Sequence, residues 1–264
     1  MTEKPIIYEK KSGVSWLILN RPEFLNAAST DMGNEALKLF DSALEDDDTR
    51  VVVFTGRGKA LSAGADVTEI IGDPDPIKRI GILATLAHKL IAAIRQSKKP
   101  TIAAINHQAA GYGMALTLAC DIRVATEKVR LRYAYSTIGL TGDGGVNWSL
   151  PRMIGISRAL EVALLCEDLH GEELKRLGVI NKLFPEETFI DDTQALAERV
   201  AALNPNVAQA IKRMMYSSSG TDLLTHLETE HAYLTEAASR PEFIDLVRAI
   251  MEQFQLKKKA NKKE

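Results

Sequence analysis

Cysteine is scarce in this sequence: there are two in 264 residues, Cys120 and Cys166. Both lie in apolar runs without CxxC or CxH spacing, so a zinc module and a disulfide framework are excluded. They read as buried thiols in a reducing compartment. Long hydrophobic stretches are missing too. No uninterrupted apolar run approaches the ~20 residues of a membrane-spanning helix. The opening MTEKPIIYEK lacks the apolar core of a signal peptide, so the expected location is cytoplasmic. Neither charge sign is in excess: 33 Lys and Arg stand against 35 Asp and Glu, a net charge of −2. That balance gives no pull toward nucleic acid or anionic membranes, and no basic, aromatic-laced face is visible.

Several common motifs fail at a single position. Gly56-Arg57-Gly58-Lys59 is followed by Ala60, not by the Ser or Thr of a phosphate loop. Gly111-Tyr112-Gly113 has Leu116 where a dinucleotide fingerprint needs its third glycine. Gly155-Ile156-Ser157-Arg158-Ala159 lacks the second glycine of a nucleophile elbow. His226 and His231 are five apart, which is not the HExxH step, and no metal site is expected.

What is present is an ordinary globular composition, 45% apolar and 26% charged. Strands are expected over Ile6–Lys10 and Val14–Asn20, then at Val51–Thr55, Thr101–Ile105, Ile122–Ala125 and Val179–Phe184. Helical spacing covers Met32–Leu44 after the capping residues Ser29-Thr30-Asp31, and Ile77–Gln96, which carries His88. Glu45–Asp48 reads as a solvated acidic loop, and Trp148 and Leu150 read as core. Strand, loop and helix thus alternate in a layered α/β pattern. Beyond Asn204-Pro205 the chain is helical to the end. Its helices carry too little core to stand alone, which makes 1–203 the main domain and 204–264 a helical appendage. The closing LKKKANKKE reads as a solubilising tail whose first lysines are candidates for a ligand phosphate.

The stretch from Lys99 to Gly155 organises the rest. It holds a buried strand, the small-residue loop Ala109–Gly113 opening a helix, and a glycine-rich loop, Gly139–Gly145, with Asp143 at its middle. A helix start presents unpaired N–H groups that stabilise developing negative charge. Leu61-Ser62-Ala63-Gly64-Ala65-Asp66 is a second such loop. A carboxylate opposite these donors can move a proton. Asp143 also suits an Asx turn or a cap for the helix from Val146, and the residues alone leave both roles open.

These residues carry a family resemblance over essentially the full length. Asn20-Arg21-Pro22 with Leu25-Asn26-Ala27, Ser62–Asp66, Lys99–Asn106, Cys120-Asp121 and Gly178-Val179-Ile180 resemble the crotonase superfamily, the enoyl-CoA hydratases and isomerases. The resemblance implies an α/β spiral of repeated ββα units with a C-terminal helical trimerisation region, assembled as a homotrimer or dimer of trimers. It also implies an acyl-CoA thioester as ligand and no metal or redox cofactor. Matched by motif, the thioester oxygen would be held by the N–H groups of Ala65 and Tyr112. Ala27, Ala63, Ala65, Asp66, Val67 and Tyr112 would line the CoA ester. The two glutamates of the hydratases fall on Ala115 and Tyr135, so hydration is not expected. Asp143 stands where ring-epoxyphenylacetyl-CoA isomerases and enoyl-CoA isomerases carry Asp or Glu, and an isomerase is the expected activity. A 4-chlorobenzoyl-CoA dehalogenase-like route would use Asp143 as nucleophile with Tyr135 and His88. A third alternative is a protein that binds acyl-CoA with little catalysis.

Overall fold

The computed structural model describes the backbone of residues 4–260 and the side chains of residues 4–253. Two compact units divide the chain between Leu203 and Asn204.

The first unit opens with β1 (Ile6–Lys11) and β2 (Val14–Leu19), an antiparallel hairpin. Its turn, Ser12-Gly13, takes positive φ at both residues, the backbone twist that a two-residue hairpin needs. Ser29 then caps α1 (Thr30–Glu45) by accepting the Met32 N–H. The chain continues through β3 (Val51–Gly56), α2 (Val67–Ile71), α3 (Pro76–Gln96), β4 (Thr101–Ile105), β5 (Gln108–Ala110) and α4 (Tyr112–Ala119). It proceeds through β6 (Ile122–Thr126), β7 (Arg130–Arg132), α5 (Val146–Ile154), α6 (Ile156–Leu165), β8 (Asp168–His170), α7 (Gly171–Arg176), β9 (Lys182–Phe184) and α8 (Phe189–Ala201).

The main sheet has the order β1-β2-β3-β4-β6-β9 and is parallel from β2 onward. Both faces are covered, which explains the unbroken apolar runs of β3 and β4. Leu17, Leu19, Val52, Phe54, Ala103 and Ile105 join one core with Met32, Phe40, Leu90 and Ile94. Trp16, Val51, Val53, Ile102 and Ala104 join the other, with Phe189 and Ala197 of α8. A second, thinner ladder advances in step with the sheet. Ala28 bridges Ala65, Ser62 bridges Ala109, β5 runs parallel to β7, and β7 pairs with β8. After β2, β3, β4 and β6 the chain adds a short rung before its next helix. This is the spiral of ββα units that the resemblance implied.

Three expectations change. Trp148 is 47% exposed rather than core. Its indole lies beneath the guanidinium groups of Arg95 and Arg152, at 5.0 and 4.0 Å from the ring centre, which suits an aromatic at the surface. The last strand is only Lys182–Phe184, because the N–H groups of Val179 and Ile180 turn back to Leu174 O. The acidic run is not simply solvated. Asp46 accepts from Lys10 Nζ at 2.6 Å and from Thr49 Oγ1 at 2.9 Å, which holds its carboxyl at about 2. A folded-state value below the ordinary 3.8 stabilises the fold above pH ~4 and loses that contribution as pH falls toward 2. Asp46→Asn is therefore expected to melt below wild type at pH 6. The gap should close by pH 2, as read by thermal denaturation across that range.

The second unit comprises α9 (Pro205–Ser217), α10 (Leu223–Ala238) and α11 (Pro241–Ala260). Asn204 and Asp222 cap the first two through the N–H groups of Asn206 and Thr225. Among its described residues only Ala208 and Lys212 are buried, while Leu223, Leu224 and Leu234 are exposed. The lysines of the tail lie outside the described side chains. No described helix is long and apolar enough to cross a membrane.

Candidate active site

The site begins with Asn26, a fully buried polar residue at positive φ. Its Nδ2 donates to the carbonyls of Arg57 and Ala60, and its Oδ1 accepts the Arg21 N–H. This fixes residues 25–28 beside residues 63–66. Ala63 N–H donates to Leu25 O, Ala28 N–H to Gly64 O, and Asp66 N–H to Ala28 O. Within a parallel bridge, successive backbone groups point to opposite sides. Gly64 and Asp66 face Ala28, so Ala65 faces away, and its N–H has no protein acceptor among the described residues.

Tyr112 supplies a second such group. It is the first residue of α4, preceded by Gly111, which has no side chain to cap it. Its N–H is one of the orphan donors of a helix start and likewise has no acceptor among the described residues. The two loops lie side by side. Ala110 N–H donates to Ser62 O at 2.9 Å, and a Cβ on Gly111 would sit 3.5 Å from the Gly64 Cα. The Tyr112 phenol is buried, which pushes its pKa above the ordinary tyrosine range.

Asp143 comes from the loop before α5. It does not cap that helix; Gly145 occupies the cap position without a side-chain bond. Instead Asp143 Oδ1 accepts from Tyr135 Oη at 2.7 Å, and Oδ2 lies 3.8 Å from His88 Nε2 on α3. Burial first, and then the Asp143 charge, push the Tyr135 phenol far above the ordinary range, so it remains a donor and not a base. The expected trio of Asp143, Tyr135 and His88 is thus brought together.

Two residues absent from the sequence reading brace this loop. Tyr133 Oη accepts the Gly142 N–H at 2.7 Å and donates to Asn147 Oδ1 at 2.8 Å. Asn147 Nδ2 returns to Gly142 O at 3.0 Å. The signals were slight: Tyr133 shares the alternation of Tyr135, and Asn147 stands four residues after Asp143. Asn147→Leu opens this ring of bonds without touching Asp143. It is expected to lower kcat about tenfold, roughly one hydrogen bond to a polar group, with a smaller change in KM. Steady-state kinetics check the split.

Asp143, Tyr112, Tyr135, Ala63, Ala65 and Val67 all line one cavity of about 430 Å³. Its walls are mainly apolar, and Asp143 is its only carboxylate among the described residues. Ala115 is buried, and a Cβ on Gly144 would lie 2.8 Å from the Ala115 Cβ, so position 115 is closed in by the Asp143 loop. Two expected ligand residues turn elsewhere. Asp66 is buried; it caps α2 through the N–H groups of Thr68 and Glu69 and pairs with Arg21 Nη1 at 2.8 Å. Burial alone would raise its pKa, but the bonds from Thr68 and Arg21 outweigh that and lower it. Ala27 gives its carbonyl to Arg21 and does not line the cavity. No cluster of three His, Cys, Asp or Glu suited to a metal occurs among the described residues.

Comparison with known proteins agrees with this architecture. The chain is 32% identical over 248 residues to a 1,2-epoxyphenylacetyl-CoA isomerase of Escherichia coli, covering 93% of this chain and 95% of that protein. It is 31% identical over 242 residues to 4-chlorobenzoyl coenzyme A dehalogenase-2 of an Arthrobacter species, covering 91% and 88%. The crystal structure of an enoyl-CoA hydratase from Polaromonas sp. JS666 superposes with a TM-score of 0.88 at 27% identity, covering 94% and 97%. The family model described as enoyl-CoA hydratase/isomerase matches residues 9–261, and the chain belongs to that family.

Proposed function

We propose that this protein is an acyl-CoA isomerase that shifts a proton along the acyl chain through a thioester enolate. The observation that carries this reading is the single carboxylate: Asp143 is the one acid of the described cavity, in the same cavity as two unpaired N–H donors. Hydration needs a second acid/base group, and Ala115 and Tyr135 supply none. An allylic shift needs only one. Asp143 takes the proton from one carbon, electron density moves onto the thioester oxygen, and the Ala65 and Tyr112 N–H groups hold it. Asp143 then returns the proton two carbons away. Donors fixed in advance are worth about 3–4 kcal/mol each in comparable sites. Tyr135 keeps the carboxylate aimed. Base, acid and donors are all groups of the chain, so this route requires no further cofactor.

The test is deuterium incorporation from D₂O into a panel of acyl-CoA esters, read by mass spectrometry. Exchange into a 3-enoyl ester that depends on Asp143 supports the reading. Absence of exchange in every bound ester sinks it.

One observation favours a second reading. His88 is half-exposed and stands 3.8 Å from Asp143 Oδ2, where it can activate water to hydrolyse an aspartyl ester. Single turnover in ¹⁸O-water separates the routes, because only the nucleophilic one places solvent oxygen in Asp143. We also infer a homotrimer or dimer of trimers. The exposed Leu223, Leu224 and Leu234 support it, and sedimentation analysis measures it.

A further inference from the structure

The cavity has a direction. Along α3 its lining residues run from Ile77, 83% exposed, through Leu83, 8% exposed, to Leu90, 1% exposed. One open end therefore lies at the start of α3, and a second lies beside the Asp143 loop, where the lining residues Ile138 and Leu140 are exposed. Asp143 is fixed by geometry near His88, close to the other end. Between these levels lie eleven residues of helix, or about 16 Å at 1.5 Å per residue. Every α3 residue that lines the cavity over this distance is apolar, and Val67 and Ile70 of α2 add to that character. A pantetheine arm carries two amides, and burying them there without partners is costly. An alkyl chain carries no such groups.

We propose that this arm of the cavity is an open-ended channel for a linear acyl chain. The preferred substrates are then medium-chain acyl thioesters, not short or compact aromatic ones, and Gly81 and Ala84 set the clearance. The inference rests on the acyl-thioester reading above but not on the reaction. An extended chain advances about 1.25 Å per carbon, given C–C bonds near 1.5 Å. Gly81 stands seven residues from His88, which corresponds to about eight carbons; Ala84 stands four away, which corresponds to about five. A Cβ on Gly81 would meet nothing within 4 Å, so a larger side chain there enters free space. Most side chains are also better helix formers than glycine.

The test is calorimetric binding of saturated acyl-CoA esters from butanoyl to tetradecanoyl, with phenylacetyl-CoA for comparison. Saturated esters report the channel even if no isomerisation occurs, so failure here and failure of the isomerase reading are distinct. For wild type, Kd is expected to fall about fourfold per added methylene, the fold-change for one buried CH₂. Gly81→Phe should end that gain near eight carbons past Asp143, and Ala84→Phe near five. The chain length at which affinity stops rising, normalised to butanoyl-CoA, is the readout, so a uniform loss of binding does not mimic the result. Three outcomes overturn the proposal: a Kd that changes less than twofold across the series, phenylacetyl-CoA binding tighter than octanoyl-CoA, or chain-length profiles of both variants that match wild type.

Discussion

Asp143→Asn is expected to lower the rate of proton exchange about 10³-fold while leaving the fold and ligand affinity close to wild type. The size follows from general acid–base catalysis, which contributes typically 10²–10⁴-fold, or about 4 kcal/mol at its middle. The fold is expected to survive because asparagine keeps the shape, and its Oδ1 still accepts from Tyr135 Oη, the one short hydrogen bond made by the carboxylate. Its amide cannot take a proton from carbon. Deuterium exchange and calorimetric binding, run on the same samples, check both halves. A variant that binds normally and still exchanges at the wild-type rate removes Asp143 from the chemistry. The same variant also blocks the nucleophilic route, so the oxygen-labelling experiment on wild type is needed to choose between them.

Gly113→Ala is expected to damage both the fold and the activity. In most helices this change stabilises by about 1 kcal/mol. Here the added Cβ would fall well inside contact distance of Ser62 O and 3.0 Å from Ser62 C. Ser62 cannot yield, because it is fully buried and its carbonyl accepts from Ala110. The start of α4 must then move off the neighbouring loop and carry the Tyr112 N–H with it. We expect a stability loss of about 3 kcal/mol, the upper range for overpacking. We also expect a further activity loss of about 10²-fold, the value of one misplaced oxyanion donor. Denaturant unfolding and exchange kinetics measure the two separately. Gly81→Ala is the contrast for stability, since a Cβ there has open space and the ordinary helical gain should appear.

Much of the main sheet was legible in the residues because its strands are short, β-branched and buried on both faces. Val51–Gly56 and Thr101–Ile105 speak for themselves. The thin ladder was not legible. Gln108–Ala110, Arg130–Arg132 and Asp168–His170 are three residues each, too short for any periodicity, and are strands only because they pair with one another. Trp148 was misread because an apolar periodicity does not distinguish a side chain facing core from one covered by two arginines. For Asp143 the residues left two roles open, a cap or an acid/base group. The structure removes the cap: the carboxylate is turned instead to Tyr135, eight residues away, whose hydroxyl donates to it. No local spacing encodes that bond. Tyr133 and Asn147 escaped notice for the same reason: their work is done on Gly142, through atoms that meet only after the loop has closed.

The bridge between Ser62 and Ala109 has a consequence for how this active site can change. Ala65 and Tyr112 each stand three residues beyond that bridged pair, so the two donors occupy matching positions on adjacent runs of chain. The gap between them is then set by backbone, through the Ala110 N–H to Ser62 O bond and the close approach of Gly111 to Gly64, and not by the conformation of a side chain. A tyrosine at position 112 leaves that gauge untouched, as would many other residues. On the proposed mechanism, substrate preference and the placement of acids can drift while the two groups that would receive the negative charge stay calibrated by the backbone.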